Sequence, residues 1–232
     1  MKTPMVDYRK FRPNKLNTPE FSHLKLLLTW LIYFTLYFIT ETFIPAEKCT
    51  PIHIPLDDLI PFCEWFVIPY VFWYGLIVFS LGYFLLYDVD SFRRMQIYIF
   101  TTQMIAMVFY IFYPSRQDLR PEVFPRENVL TWLIGTIYNF DTNTGVLPSL
   151  HCGYSLGILS AWLRRKPTPL WGRIFVTVTV ILVCMSTAFI KQHSAADFFA
   201  VLPVCLVAEI LSHTIVSRRP YNPEPTPEQQ IN

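Results

Sequence analysis

Two histidines and an aspartate have the residue types and spacing that could transfer a phosphoryl group. His193 and Asp197 are four positions apart, so they share one face of a helix. The carboxylate could then accept the proton on one ring nitrogen of His193 and leave the other nitrogen free to attack phosphorus. His151 lies in the stretch GVLPSLHCGYS, where polar residues precede an apolar segment. Because an imidazole titrates near neutral pH, His151 could donate a proton while His193 attacks.

Side chains that could bind phosphoryl oxygens lie in the same parts of the sequence. Three stretches, YPSRQDLRPEVFP (113–125), PSLHC (148–152) and STAFIKQHSAAD (186–197), contain cations and hydroxyl groups. Arg120 offers a fixed fork of N–H donors, Arg116 and Lys191 could add positive charge, and Ser149 offers a hydroxyl group. Each feature alone is common, because Pro-Ser often starts a helix and His-x-x-x-Asp often lies on a helix surface. The prediction of a site therefore depends on whether the three stretches meet.

The elements that must position these residues are membrane-spanning helices. Hydrophobic residues make up 53% of the chain, aromatic residues 17% and charged residues 16%, which is too apolar for an ordinary soluble domain. A helix needs about 20 residues to cross a bilayer, and suitable apolar runs occur at 24–44, 60–87, 93–113, 149–164, 169–190 and 195–216. The sequence therefore predicts an all-α polytopic membrane protein with six helices in one bundle. The fourth run is short and begins with polar residues, so its outer end is expected in a protein-lined cavity.

The distribution of Lys and Arg predicts the orientation of the bundle, because these residues accumulate in cytoplasmic loops. They cluster before the first span, between the second and third, around the turn between the fourth and fifth, and after the sixth: Lys2, Arg9, Lys10, Arg12, Lys15, Lys25, Arg93, Arg94, Arg164, Arg165, Lys166, Arg173, Arg218 and Arg219. Both termini are therefore predicted to be cytoplasmic, with loops at 45–59, 114–148 and 191–194 on the outer side. This topology brings the three polar stretches to one membrane face.

The chain is predicted to divide into a cytoplasmic N-terminal segment (1–22), a six-helix domain (23–217) and a disordered Pro-rich tail (218–232). We expect a multi-pass protein of the plasma membrane, with an internal eukaryotic membrane as the alternative. The net charge of +2 does not indicate a nucleic-acid surface. The five cysteines show no CxxC pair and no metal-ligand spacing with histidine, so no metal or cofactor is predicted. Cys49 and Cys63 could pair in an oxidising compartment, but free thiols are favoured.

The three stretches resemble the motifs of the type 2 phosphatidic acid phosphatase superfamily, a six-helix membrane family. Its motifs are Lys-x6-Arg-Pro, Pro-Ser-Gly-His and Ser-Arg-x5-His-x3-Asp. The matching positions, in the same order and spacing, are Arg120-Pro121, the PSLH stretch at 148–151, and Ser186, His193 and Asp197.

The resemblance implies a role for each matching residue. His193 would form a phosphohistidine, Asp197 would orient it, and His151 would protonate the leaving alcohol. The phosphoryl oxygens would be bound by Arg120, Ser149 and Ser186. No metal would be needed, since fixed cations and donors stabilise the transferring group.

Three positions depart from the motifs. Tyr113 replaces the first-motif lysine, Leu150 the glycine and Thr187 the third-motif arginine. Two cations of the family are therefore missing, and Lys191 and Arg116 are the local substitutes expected to contact phosphate. The PSLH and KQHSAAD stretches, with IPLDDLIPFCEWFVIPY before the second span, are similar to the branch that contains inositol phosphorylceramide synthases. That branch transfers a phospho-alcohol group between lipids.

The leading hypothesis is a metal-independent lipid phosphatase that hydrolyses a phosphate monoester or diphosphate on the extracytoplasmic side. Its partners would be the membrane and a phospholipid or prenyl phosphate substrate; no oligomeric state is predicted. The second hypothesis is a phosphotransferase that delivers the headgroup to a lipid hydroxyl, as inositol phosphorylceramide synthases do. A third, from another class, is an inactive scaffold or an anion transporter. Transport is less favoured because the predicted spans are apolar at their centres.

Other polar and aromatic residues have structural interpretations. Glu209 is expected to reach Arg218 or Arg219 at the cytoplasmic end of the sixth span. Asp57 and Asp58 are expected in a solvated turn before the second span, with binding of a cation or headgroup as the alternative. Trp65, Trp73 and Tyr74 are expected to face lipid in an interfacial belt.

Overall fold

In the computed structural model, which describes residues 4–166 and 168–222, nearly all regular structure is helical. The helices are α1 (Thr29–Phe43), α2 (Pro55–Leu59), α3 (Val67–Tyr87), α4 (Val89–Phe112), α5 (Val129–Phe140), α6 (Leu150–Arg164), α7 (Leu170–Phe189) and α8 (Ala195–Arg218). Short 3-10 segments lead into two of them, Ser22–Leu28 before α1 and Glu64–Phe66 before α3. Two short strands, β1 (Thr50–Pro51) and β2 (Ser115–Arg116), pair in parallel. The prediction of an α-helical protein is confirmed.

Five helices of the described chain are long and apolar enough to cross a membrane. They are Ser22–Phe43, Glu64–Tyr87, Val89–Phe112, Leu170–Phe189 and Ala195–Arg218. Each coincides within a few residues with a predicted span, because a continuous apolar run can bury its backbone polar groups in lipid only as a helix. The fourth predicted run forms α6, which has 15 residues and is shorter than these five.

Helix α4 lies at the centre and packs against α1, α3, α6 and α8. Helix α6 fits closely beside it because small residues line the contact. A Cβ atom on Gly157 would lie 2.5 Å from the ring of Tyr98, so only glycine allows this approach. A polar contact inside the bundle joins α1 to α4, where the indole N–H of Trp30 donates to Gln96 Oε1 at 3.0 Å.

One end of the bundle collects the basic segments. Arg165 forms an ion pair with Asp88 at 3.2 Å. Glu209 pairs with Arg164 at 2.7 Å and accepts from Ser160 Oγ at 2.7 Å. The predicted contact of Glu209 with Arg218 or Arg219 is therefore wrong, because this face of α8 packs on α6.

Part of the predicted C-terminal tail lies against this same end. Helix α8 extends through Arg218. The backbone N–H of Tyr221 donates to Asp90 Oδ1 at 2.8 Å, and its hydroxyl donates to the Glu20 carbonyl at 3.2 Å. Residues 223–232 of the predicted tail lie outside the described chain.

The opposite end of the bundle holds β1, β2, α2 and α5. Helix α5 lies within the predicted loop 114–148 and was not predicted, because its 12 residues are too few to cross a bilayer. Its start has a local signal: Asn128 Oδ1 accepts from the N–H groups of Leu130 and Thr131 at 2.9 and 3.0 Å. Asparagine is a favoured residue at this position.

Candidate functional site

His151, His193 and Asp197 meet at the end of the bundle that holds α2 and α5. His151 lies in the first turn of α6, His193 in the connection from α7 to α8, and Asp197 in the first turn of α8. The backbone N–H groups of Gln192 and His193 both donate to the Thr187 carbonyl, at 2.9 and 3.0 Å. This tight turn ends α7 and fixes the direction of the His193 side chain.

His193 and Asp197 form the predicted pair. Nδ1 of His193 lies 3.0 Å from Asp197 Oδ2, and the carboxylate is fully buried. The same oxygen accepts from the backbone N–H of Ser194 at 3.1 Å. Burial alone would lower the pKa of His193, but the hydrogen bond and negative charge of Asp197 outweigh it and raise the pKa above its ordinary value. The imidazole is thus oriented with Nε2 away from the carboxylate.

The second imidazole faces the first. Nδ1 of His151 lies 3.3 Å from Nε2 of His193, and the planes of the two rings are inclined at 65°. The His151 ring packs on Trp73, with centroids 4.4 Å apart, and on Tyr70, with centroids 4.8 Å apart. Trp73 is only 6% exposed, so its predicted lipid-facing position is wrong. Trp65 and Tyr74 of the same group are exposed, at 64% and 50%.

Three polar residues that sequence reasoning missed complete the network. The Tyr70 hydroxyl lies 2.9 Å from His151 Nε2 and donates to Asp141 Oδ2 at 3.1 Å. Gln192 Nε2 donates to the same carboxylate oxygen at 2.9 Å. Of the three, Gln192 had a signal in the sequence, because it is adjacent to the predicted nucleophile His193. Tyr70 looks like any aromatic residue of an apolar span, and Asp141 like any loop carboxylate.

A small polar cavity and a larger apolar groove meet at this network. The cavity has a volume of about 80 Å³ and is lined by Tyr33, Tyr37, Tyr110, Asp141, Thr142, Thr144, Gly145, Val146, Leu150, His151, Gln192 and His193. The groove, about 630 Å³, lies between α1 and α3. Tyr33, Asp141, Leu150 and His151 line both spaces. The N-terminal end of α6 therefore borders a protein-lined cavity, as the polar start of this segment predicts.

Arg120 is hydrogen-bonded to two residues that line the cavity, Asp141 and Gln192. Its guanidinium donates to the carbonyls of Tyr138, Asp141 and Thr142 at 3.1, 2.7 and 2.9 Å, and to Gln192 Oε1 at 2.7 Å. It also stacks on the Tyr138 ring, 4.4 Å from the centroid. Arg120 thus joins the segment after α5 to Gln192. The Gln192 amide lies between the guanidinium and the cavity.

The two predicted serines are buried and bonded to their own helices. Ser149 Oγ accepts from the Cys152 N–H at 3.4 Å, and its backbone N–H donates to the Asp197 carbonyl at 3.2 Å. Ser186 Oγ donates to the Val183 carbonyl at 2.6 Å. Ser149 therefore caps α6 and ties it to α8, whereas Ser186 is satisfied inside α7. Neither lines the cavity among the described residues.

Lys191 and Arg116 point to other partners. Lys191 has a left-handed backbone, with φ of 56°, and its ammonium donates to the carbonyls of Asp57 and Ile60. Burial lowers the pKa of Lys191, while Asp57 and Asp58 oppose that effect. Arg116 pairs with Asp118 at 3.0 Å and donates to the Ala46 carbonyl at 2.9 Å. Within the described chain, neither cation lines the cavity.

Asp57 is a buried carboxylate that binds the start of α8. It is 2% exposed and accepts from Ser194 Oγ at 2.6 Å and from the Ala195 N–H at 2.7 Å. Its predicted position in a solvated turn is therefore wrong, because the carboxylate caps α8. Asp58 does lie in solvent and pairs with His53 at 2.8 Å.

Comparisons of the chain with family models, curated proteins and solved structures find no match. All five cysteines are free. No group of His, Cys, Asp and Glu among the described residues is arranged to hold a metal ion.

Replacing Asp57 with alanine should lower both the melting temperature and any activity of the site. Two donors at the start of α8 would lose their acceptor, at about 1–3 kcal/mol for each buried group, and the turn that carries His193 would loosen. The matched variant Asp58→Ala removes an exposed carboxylate and should change stability by less than about 0.5 kcal/mol. Thermal unfolding of the two detergent-purified variants makes the comparison; equal melting temperatures would contradict the capping role.

Proposed function

We propose that this protein is a membrane lipid phosphatase that works through a phosphohistidine. The observation that carries the proposal is the arrangement of three groups: His193 is oriented by the buried Asp197, and its free nitrogen faces His151 across 3.3 Å at a cavity that opens onto an apolar groove. A nucleophile, an orienting acceptor and a proton donor are the parts that covalent phosphoryl transfer needs.

The proposed reaction has two steps. In the first, the lone pair of His193 Nε2 attacks phosphorus and the bond to the leaving oxygen breaks. The leaving oxygen keeps the bonding electrons and takes the proton from His151 Nδ1. In the second, water attacks phosphorus, His151 Nδ1 takes one water proton, and the phosphorus–nitrogen bond breaks with its electrons returning to Nε2. Phosphate leaves and both imidazoles return to their starting state.

The positive charge that a phosphoryl group requires comes from several sources in this proposal. Leu150 and His151 line the cavity and form the first turn of α6, where backbone N–H groups have no intrahelical acceptor and the helix dipole favours an anion. The imidazolium of the histidine pair adds a formal charge, and Arg120 acts through Gln192. These groups replace the cations missing at Tyr113 and Thr187.

The apolar groove supports a lipid as the substrate. Its walls include Trp30 and Phe34 of α1 and Ile77, Val78 and Leu81 of α3. A hydrocarbon chain in this groove would place its phosphorylated end beside His151, which lines both spaces. Because lipid tails and apolar side chains are equally apolar, such a chain could pass from the bilayer into the groove without a hydrophobic penalty.

We further propose six spans, with α6 as the fourth, both termini cytoplasmic, and the site on the outer side of the plasma membrane. The grouping of basic segments at one end of the bundle and of α2, α5 and the histidines at the other supports this orientation.

The orientation can be tested with an epitope inserted beside Val123, which is 82% exposed. An impermeant antibody should reach this epitope in intact cells, whereas an epitope at residue 1 should be reached only after permeabilisation. The reverse pattern would place the site on the cytoplasmic side.

Phosphate release tests the activity itself. With a chelator present, the purified protein should release phosphate from at least one lipid among phosphatidate, sphingoid phosphates and prenyl diphosphates. His193→Ala should reduce the rate on the order of a thousandfold or more, because the nucleophile is lost. His213→Ala, which changes an exposed histidine of α8, should retain the wild-type rate.

Two outcomes would redirect the proposal. Headgroup transfer to a lipid hydroxyl without phosphate release would make the protein a phosphotransferase with the same first step. Equal rates for His193→Ala and the wild type would remove His193 as nucleophile.

A further inference from the structure

Two hydrogen-bond chains reach the histidine pair from opposite sides. On one side, Asp197 Oδ2 lies 3.0 Å from His193 Nδ1. On the other, Asp141 Oδ2 accepts from the Tyr70 hydroxyl at 3.1 Å, and that hydroxyl lies 2.9 Å from His151 Nε2. Tyr70 is fully buried, so its hydroxyl must find partners inside the protein. The pair is therefore held by a carboxylate at each end.

The positions of the protons follow from which groups can donate. An ionised carboxylate only accepts, so the proton between Asp197 and His193 is on Nδ1 of the histidine. The tyrosine has a single hydroxyl proton, and Asp141 accepts it. The Tyr70 oxygen must then accept from His151, which places a proton on Nε2 of His151.

The two remaining ring nitrogens, Nδ1 of His151 and Nε2 of His193, face each other at 3.3 Å. If both were unprotonated, two lone pairs would point at each other inside a buried site. A single proton between them turns this repulsion into a charge-assisted hydrogen bond.

We propose that Tyr70 and Asp141 are positioning residues for His151, and that they and Asp197 make the resting histidine pair hold one shared proton. Tyr70 and Asp141 do for His151 what Asp197 does for His193. The inference rests on the proposed function for its catalytic meaning, but the state of the proton is a property of the resting protein.

The shared proton has two consequences for a bound phosphate. It makes the pair a cation within the cavity, which compensates for the scarcity of Lys and Arg there. It also becomes the proton that His151 gives to the leaving oxygen when the phosphoryl group enters between the rings. The Tyr70 oxygen stays hydrogen-bonded to Nε2 of His151 during both steps. Nδ1 therefore remains the atom of His151 that donates the proton.

The charged and titratable groups around the pair come from every element packed against it. They are Tyr33 and Tyr37 of α1, Tyr70 and Tyr74 of α3, Tyr110 of α4, Cys152 of α6, Asp197 of α8, Asp141 after α5, and, one residue further away, Arg120, Asp57 and Cys184 of α7. Asp141 and Asp197 are the carboxylates that contact the chain of tyrosine and histidines directly. Both act to retain the proton.

The first test compares pH profiles of phosphate release by full-length protein in lipid nanodiscs. Tyr70→Phe removes the acceptor for His151 Nε2, so the pair should lose its proton more readily. The alkaline limb of the kcat/KM profile should move to lower pH by about one to two units. This shift corresponds to the free energy of one hydrogen bond to a charged group. Asp141→Asn keeps an acceptor for Tyr70 without the charge and should shift the limb the same way by less.

The matched control is Tyr83→Phe, on the same helix but beside Arg165. Its profile should superimpose on that of the wild type. A Tyr70→Phe profile that also superimposes on the wild type would overturn the positioning role.

The second test needs no activity. Nitrogen-15 spectra of histidine-labelled protein, assigned with His151→Asn and His193→Asn, report the protons on each ring. The wild type at neutral pH should show Nδ1 of His193 and Nε2 of His151 protonated, with one further proton averaged over the facing nitrogens. Two neutral rings would contradict the inference. A shared proton in a protein that releases no phosphate would leave the inference standing and reject the phosphatase.

Discussion

Asp197 is fully buried in the first turn of α8, where an unpartnered carboxylate would cost several kcal/mol. Its partners therefore determine the local structure. His193 must present Nδ1 to it, the turn after α7 must end where the Ser194 N–H can donate, and Asp57 must take over the other donors at the start of α8. The Ser149 N–H joins α6 to the same residue through the Asp197 carbonyl. The position of His151 relative to His193 is a consequence of these contacts.

His151 lies where two environments meet. One is a polar cavity lined by residues that include Asp141 and Gln192, and the other is an apolar groove between α1 and α3. The proposed substrate, a phosphorylated lipid, has the same division between a polar head and an apolar tail. The short helix α6 begins at this junction, because Leu150 and His151 of its first turn line both spaces. Trp73 and Tyr70 hold the imidazole at the junction of the two spaces by packing on its ring.

Much of the fold could be predicted from the sequence because lipid leaves an apolar chain few alternatives to a helix. The bounds of α7 and α8 and the i, i+4 contact of His193 with Asp197 followed from this constraint and from helix geometry. The remaining contacts depend on tertiary packing. Tyr70 and Trp73 are residue types that commonly face lipid. They are buried because α6 packs against them through His151. The partners of Lys191 could not be predicted, because its side chain is long and flexible. Its ammonium donates to the carbonyls of Asp57 and Ile60, which are brought near it by the fold.

The most direct test of the account is to trap the covalent intermediate. An activated aryl phosphate labelled at phosphorus should phosphorylate the protein faster than water removes the group, and an alkaline quench preserves phosphohistidine. Peptide mapping is predicted to find the label on His193, and His193→Gln should remain unlabelled. Label on another residue, or turnover with no labelled protein at any time, would contradict the proposed role of the Asp197–His193–His151 arrangement.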